Sequence, residues 1–285
     1  MSQLQIFINL TRLNKPTGFM LLFWPCSWGL AYAHNIENNF LQFLYFLLLF
    51  FLGSVLMRSA GCIVNDIVDK EIDKKVQRTK NRPVASNLIS VQGAFIYAGV
   101  LCGLAFLILI QFNKLTIFLG LASMLLAFSY PFMKRITYWP QLFLGLTFNW
   151  GILMAWTAMT NNISIEIIIL YVSAIFWTLG YDTIYGTQDI VDDEIIGIKS
   201  TSIKFKNNIK LFVSFCYLIS SLLIVFLFYN KFDLNISSLL MLTYILSLMY
   251  QIIKFKKNDP VICLKIFKIN NMSGLFLFLG IFLAN

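Results

Sequence analysis

Nine long apolar runs organise this chain, at about 17–34, 40–64, 90–111, 115–133, 138–160, 163–185, 209–229, 236–255 and 262–283. Each is close to the ~20 residues an α-helix needs to cross the hydrocarbon of a bilayer. Backbone polar groups in lipid must be satisfied internally, so runs of this length are helices and not loops. A transmembrane barrel would instead show short alternating segments, which are absent. Hydrophobic residues make up 59% of the 285 and charged residues 12%, which excludes a soluble globular domain. The expectation is an all-α integral membrane protein with nine transmembrane helices around a central cavity.

The net charge of +9 does not indicate a nucleic-acid partner, because the basic residues sit at the borders of the apolar runs. Nearly all of the 22 Lys and Arg lie in the N-terminus or in the loops after the second, fourth, sixth and eighth runs. The positive-inside rule puts these in the cytoplasm and, with an odd number of spans, Asn285 outside. A bacterial inner membrane is the expected location. Pro25 and two tryptophans interrupt the first run, so it reads as an uncleaved helix and not as a signal peptide. Cys26, Cys62, Cys102, Cys216 and Cys263 have no metal-ligand spacing and read as buried small hydrophobes. His34 reads as a border residue.

One stretch breaks the apolar pattern. Residues 58–83 carry Arg58, Asn65, Asp66, Asp69 and Asp73, followed by Arg78, Arg82 and Pro83. The sequence Asp66-Ile-Val-Asp69-Lys-Glu-Ile-Asp73 reappears as Asp189-Ile-Val-Asp192-Asp193-Glu-Ile-Ile196, six of eight positions being identical. The repeat suggests a single domain, 1–285, built of two pseudo-repeats at about 1–133 and 134–285. On a helix, i, i+3, i+4 and i+7 share a face. The first copy then presents Asp66, Asp69 and Asp73 together. The second presents Asp189 with Asp192 or Asp193, and Asp182 lies one period earlier.

Several carboxylates on one face repel unless a cation sits between them. With no soft or nitrogen ligands nearby, Mg²⁺ and Ca²⁺ are the candidates. Arg78, Arg82 and Lys199 supply donors suited to a phosphate. A single D-x-x-D at a membrane border is commonly only a solvated face. Two copies on one side, each followed by bases, point instead to a metal-bridged anion. Arg58 lies roughly 10 Å deeper than Asn65 at 1.5 Å per residue. An arginine at a helix centre costs about 2.5–3.5 kcal/mol, so it needs a partner or a wet cavity. It either pairs with an acid to hold helices together or acts as counter-ion to an anionic substrate below the phosphate site. Tyr130, Lys134 and Arg135 add a phenol and two cations at a third border.

Asn65-Asp66-x-x-Asp69-x-x-x-Asp73 with Arg78-Thr-x-Asn81-Arg82-Pro83 resembles the first motif of the UbiA superfamily of intramembrane aromatic prenyltransferases. Tyr181-Asp182-Thr-x-Tyr185-x-x-Gln188-Asp189-x-x-Asp192-Asp193, with Gly197-x-Lys199-Ser-Thr, resembles its second motif. Arg12-Leu-x-Lys15-Pro16-Thr-Gly18 and Arg58-Ser-Ala-Gly-Cys are similar to the 4-hydroxybenzoate polyprenyltransferase branch. Gly186 departs from the alanine expected there. The resemblance implies a bundle with a lateral opening for a lipid tail. It implies that Asp66, Asp69, Asp73, Asp189 and Asp193, assisted by Asn65 and Asp192, hold two Mg²⁺ on a polyprenyl diphosphate. Arg78, Arg82, Tyr130, Lys134 and Lys199 would contact the substrate. Arg58 would face the carboxylate of 4-hydroxybenzoate. The implied reaction is Mg²⁺-dependent prenylation of that ring beside the hydroxyl, in ubiquinone biosynthesis. Rival readings are another acceptor (homogentisate, naphthoate, a haem or a chlorophyllide) or an ion-coupled transporter.

Overall fold

A computed structural model describes residues 2–76 and 79–284. Arg78 and Asn285, each given a place above, lie outside the described residues. The described chain is helical, with α1 Gln3–Thr11, α2 Thr17–Glu37, α3 Phe40–Val68, α4 Lys70–Asp73, α5 Val91–Leu109, α6 Lys114–Ile136 and α7 Pro140–Asn149. There follow α8 Gly151–Thr160, α9 Ile165–Gly186, α10 Ile190–Ile196, α11 Thr201–Lys204, α12 Ile209–Leu227, α13 Ile236–Lys254 and α14 Pro260–Phe282.

Every apolar run has become a helix, but eight, not nine, meet both the length and the hydropathy of a membrane span. The exception is α2. Its Pro25, Ser27 and His34 lower its hydropathy, and all three are buried against protein. α2 packs on α3, α8 and α14, so it is a central helix of the bundle. The approach to α8 is close: a Cβ built on Gly29 would stand 2.6 Å from the Ile152 carbonyl oxygen. The fifth run is two helices, α7 and α8, meeting at Trp150.

The turns are written in small polar residues. Asn38, in the left-handed region at φ 50°, ends α2, and the Asn39 side chain accepts from the Gln42 N–H to start α3. Ser90, Asn113, Ser164, Asn235 and Asp259 cap α5, α6, α9, α13 and α14 in the same way. Such a cap contributes about 1 kcal/mol by satisfying an orphan amide.

Between helices, buried polar groups serve as cross-links. Trp177 donates to Asn270 Oδ1 at 2.8 Å, Asn270 donates to Gln251 Oε1 at 3.0 Å, and Tyr217 donates to the same oxygen at 2.8 Å. In lipid such bonds contribute about 0.6 kcal/mol each. A second, smaller core of Leu10, Ala60, Ile63, Val84, Ala94 and Leu101 joins α1, α3 and α5 to the loop after α4. It holds the first acidic segment against the end of the bundle.

Candidate active site

The first acidic segment is not one helix. α3 stops at Val68; Asp69 has φ −95° and ψ 6°, and its N–H still bonds the Asn65 carbonyl at 2.9 Å. The four-residue α4 restarts from the Asp69 carbonyl, which accepts from Asp73 N at 2.8 Å. The single face predicted for Asp66, Asp69 and Asp73 is therefore folded. A continuous helix would spread those carboxylates over roughly 10 Å. The break brings Asp66 and Asp73 within reach of one guanidinium, with Arg82 Nη1 3.2 Å from Asp66 Oδ1 and 2.8 Å from Asp73 Oδ2.

All three carboxylates are buried, at 1%, 2% and 5% exposure for Asp66, Asp69 and Asp73. Unpaired charges at such depth would cost several kcal/mol, on the order of 3–5 when a partner is removed. Each has a cation. Arg12 Nη2 donates to Asp66 Oδ1 at 2.5 Å, Lys134 Nζ to Asp69 Oδ2, and Arg135 Nη2 lies 3.5 Å from Asp69 Oδ1. Burial opposes the charge on Arg12, but its neighbours, Cys62 and Asp66 foremost, hold its pKa above the ordinary guanidinium value. Asp66 Oδ2 and Asp69 Oδ1 are buried with no hydrogen-bond donor among the described residues.

The second segment breaks at a different point. α9 ends at Gly186, a 3₁₀ turn covers Thr187–Asp189, and α10 starts after Asp189 at φ −111° and ψ 1°. Repeated sequence thus does not give repeated geometry. Asp69 and Asp73 of the first copy line the cavity, with Asp66 lying beneath them; in the second copy Asp189 and Asp193 line it. Asp192 lies in a separate shallow depression with Lys75, Ile195 and Ile196. Gly197, at φ 80°, closes α10, and Ile198 N bonds the Asp193 carbonyl at 2.9 Å. Lys199 is thereby brought to the end of α6.

Both acidic segments open on one cavity of about 1520 Å³, also lined by Asn65, Arg82, Tyr130, Lys134 and Lys199. Arg58 lies deeper, on α3. Its guanidinium carbon is 5.3 Å from the centre of the Phe148 ring, and its Nε is buried without a partner. Gly18 makes room for it, since a Cβ there would be 3.0 Å from Arg58 Nε. Asp182 lines the same chamber and is a charge neighbour of Arg58. Sequence reasoning gave no site role to Arg12, Lys15, Gln188 or Lys268, which also line the cavity. Only the Arg12-Leu-x-Lys15 wording pointed toward the first two.

The sequence model of the UbiA prenyltransferase family matches residues 22–279. This chain belongs to that family. The mitochondrial 4-hydroxybenzoate polyprenyltransferase of Bos taurus is 42% identical over 99% of this chain and 76% of its own length. The protein of the same name from Arabidopsis thaliana is 48% identical over 73% of this chain and 51% of its own, and that from Homo sapiens 47% over 74% and 57%. The chain thus spans between half and three quarters of these relatives. Among solved structures, the apo UbiA homologue from Aeropyrum pernix K1 aligns at a TM-score of 0.78, with 19% identity over 92% of this chain and 96% of that one. The Archaeoglobus fulgidus homologue bound to GPP and Mg²⁺ aligns at 0.69, with 16% identity over 97% and 99%. At such identities these two support the fold.

The UbiA-family donor set is compatible with a hard cation. It is all oxygen, it occupies two walls of the cavity, and it includes Asp69 Oδ1, which accepts no hydrogen bond among the described residues. No three acidic, histidine or cysteine side chains among the described residues form a closed cage. Mg²⁺ does not require one, since it is commonly held by one or two carboxylates with substrate phosphates and water completing its shell.

Proposed function

We propose that this protein transfers a polyprenyl group from polyprenyl diphosphate to the ring carbon of 4-hydroxybenzoate beside the hydroxyl, forming a ubiquinone precursor. The observation that carries the reading is a single cavity with three chemically distinct zones. These are the charged mouth between Asp69/Asp73 and Asp189/Asp193, the chamber at Arg58, and an apolar arm below. The names of the relatives supply the donor and acceptor classes. Those relatives are mitochondrial proteins, so they lend no support to a bacterial inner membrane. The charge bias of the loops supports a mouth on the cytoplasmic or equivalent face.

In this reading Asp69, Asp73, Asp189 and Asp193 hold the metal, with Asp66 behind them and Asn65 at the edge; Asp192, in its separate depression, has no part in the site. Mg²⁺, taken as two ions, would supply Lewis-acid stabilisation of the charge that grows on the departing diphosphate. Arg82, Lys134 and Lys199 supply preorganised donors to the same oxygens. Arg58 orients the acceptor by its carboxylate. The apolar lining excludes water while the allylic carbon carries positive charge. Asp182, the acid at the depth of Arg58, receives the proton that leaves the ring. The match to a family of prenyltransferases argues against the transporter alternative.

Proteoliposomes containing the protein, supplied with Mg²⁺, a polyprenyl diphosphate and 4-hydroxybenzoate, test this reading. The expected product is the ring-prenylated acid; none with any aromatic acceptor would overturn it.

A further inference from the structure

α7 begins at Pro140, and the residue after it, Gln141, lines the cavity while only 6% exposed. Its Oε1 accepts from the backbone N–H of Thr201 at 2.9 Å. Thr201 opens α11, and an N–H at the start of a helix has no partner within that helix. Ser200 Oγ accepts from the Ile203 N–H of the same turn, and Gln141 takes another of its orphan amides. Capping uses only the oxygen of the Gln141 amide.

The NH2 end is fixed by the same bond. A backbone N–H can only donate, so the Gln141 atom facing Thr201 is the oxygen and the nitrogen is the other one. That nitrogen stands beside the end of α9, where a Cβ on Gly186 would lie 3.4 Å from it. Among the described residues it donates to no acceptor. The frame around it is tied down. The Thr183 and Thr201 hydroxyls are 2.7 Å apart, Ser202 Oγ donates to the Thr183 carbonyl at 2.7 Å, and the Lys199 N–H donates to the Lys134 carbonyl at 2.8 Å. The Gln141 amide therefore belongs to the cavity wall that also carries Gly186, Asp189, Lys199 and Ser200.

We propose that Gln141 is a further binding residue for the donor substrate, its NH2 donating to an oxygen of the diphosphate. The inference rests on the proposed function, which puts the diphosphate beside Lys134, Lys199 and Asp189. A neutral donor suits this wall. Another ammonium there would pair with the carboxylates and compete with the metal, whereas an amide adds a donor without adding charge. Because Thr201 holds the other end, the donor is preorganised and needs no reorientation when the ligand arrives.

Two substitutions separate donating from capping. Gln141→Glu keeps an oxygen for the Thr201 N–H and puts a second oxygen where the NH2 stands. Gln141→Met keeps the length of the side chain and removes both functions. The readouts are Kd for inorganic diphosphate in the presence of Mg²⁺ and Kd for 4-hydroxybenzoate, measured by calorimetry on the purified full chain. Neither depends on how much of a variant is folded. Both variants should raise Kd for diphosphate about tenfold or more, the scale of a hydrogen bond to a charged group, and leave Kd for 4-hydroxybenzoate nearly unchanged. A capping residue alone would give a wild-type value for Gln141→Glu and a raised one for Gln141→Met. That pattern, wild-type values for both, or an equal rise for both ligands would overturn the contact while leaving the function standing. Weakened diphosphate binding in both variants of a protein that prenylates no aromatic acid would keep the contact and remove the function. A wild type that binds no diphosphate would remove both.

Discussion

The backbone N–H of Lys199 donates to the carbonyl of Lys134 at 2.8 Å, while the Lys134 ammonium donates to Asp69. One residue at the end of α6 thereby holds both acidic segments. Pro131, one turn earlier, removes the amide that would bond the Ala127 carbonyl. Lys134→Met keeps the backbone bond and removes the charge. It should lower kcat by ~100-fold, the scale for losing one preorganised donor to developing negative charge. Lys134→Arg should recover part of this. Steady-state kinetics on the two variants check it, and a Lys134→Met enzyme with unchanged kcat would remove Lys134 from the diphosphate site.

Arg58 has a buried Nε with no partner. If it binds the acceptor's carboxylate, Arg58→Ala should raise KM for 4-hydroxybenzoate about 10–100-fold, from losing a charged hydrogen bond of roughly 1.5–3 kcal/mol. KM for the diphosphate should change much less. The opposite split would transfer Arg58 to the donor.

Gly186 explains its own departure from alanine. A Cβ there would lie 2.6 Å from Ser202 Oγ, which donates to the Thr183 carbonyl at 2.7 Å. Gly186→Ala should cost about 1 kcal/mol, the net loss of that hydrogen bond, in spite of alanine's better helix propensity. Ser202→Ala should remove the penalty in the double variant. Thermal unfolding of the four proteins of the cycle reads the coupling; strict additivity would contradict the contact.

Most of the fold is legible in the sequence because lipid allows an apolar run few alternatives to a helix, and because Asn, Ser and Asp mark the turns. The Asn38-Asn39 pair illustrates this, ending one helix and starting the next. The site is less legible. Neither Gly nor Pro marks the break at Asp69, and i, i+3, i+7 spacing fits a continuous helix equally well. The repeat equated Asp69 with Asp192, but the second copy breaks at Asp189 and Asp192 lies away from the cavity. Arg12 and Asp66 are 54 positions apart, a contact that no local pattern can announce. α2 fell short of a span's hydropathy because its polar side chains face protein.

Removing the cation should test the donor set independently of mutation. Chelation should abolish product formation, and added Mg²⁺ should restore it. Asp193→Asn should raise the Mg²⁺ concentration needed for half-maximal rate, since one fewer charged ligand faces the mouth. An unshifted Mg²⁺ dependence would remove Asp193 from the metal site.

The most direct test of the central claim is the mass of the product formed from 4-hydroxybenzoate and a polyprenyl diphosphate. It should be run on the wild-type protein and on Asp69→Asn/Asp193→Asn, one acid from each wall of the cavity. The account predicts a ring-prenylated acid from the wild type and a loss of at least ~100-fold in the double variant. Full activity in the double variant, or a wild type that leaves the acid unmodified, would contradict it.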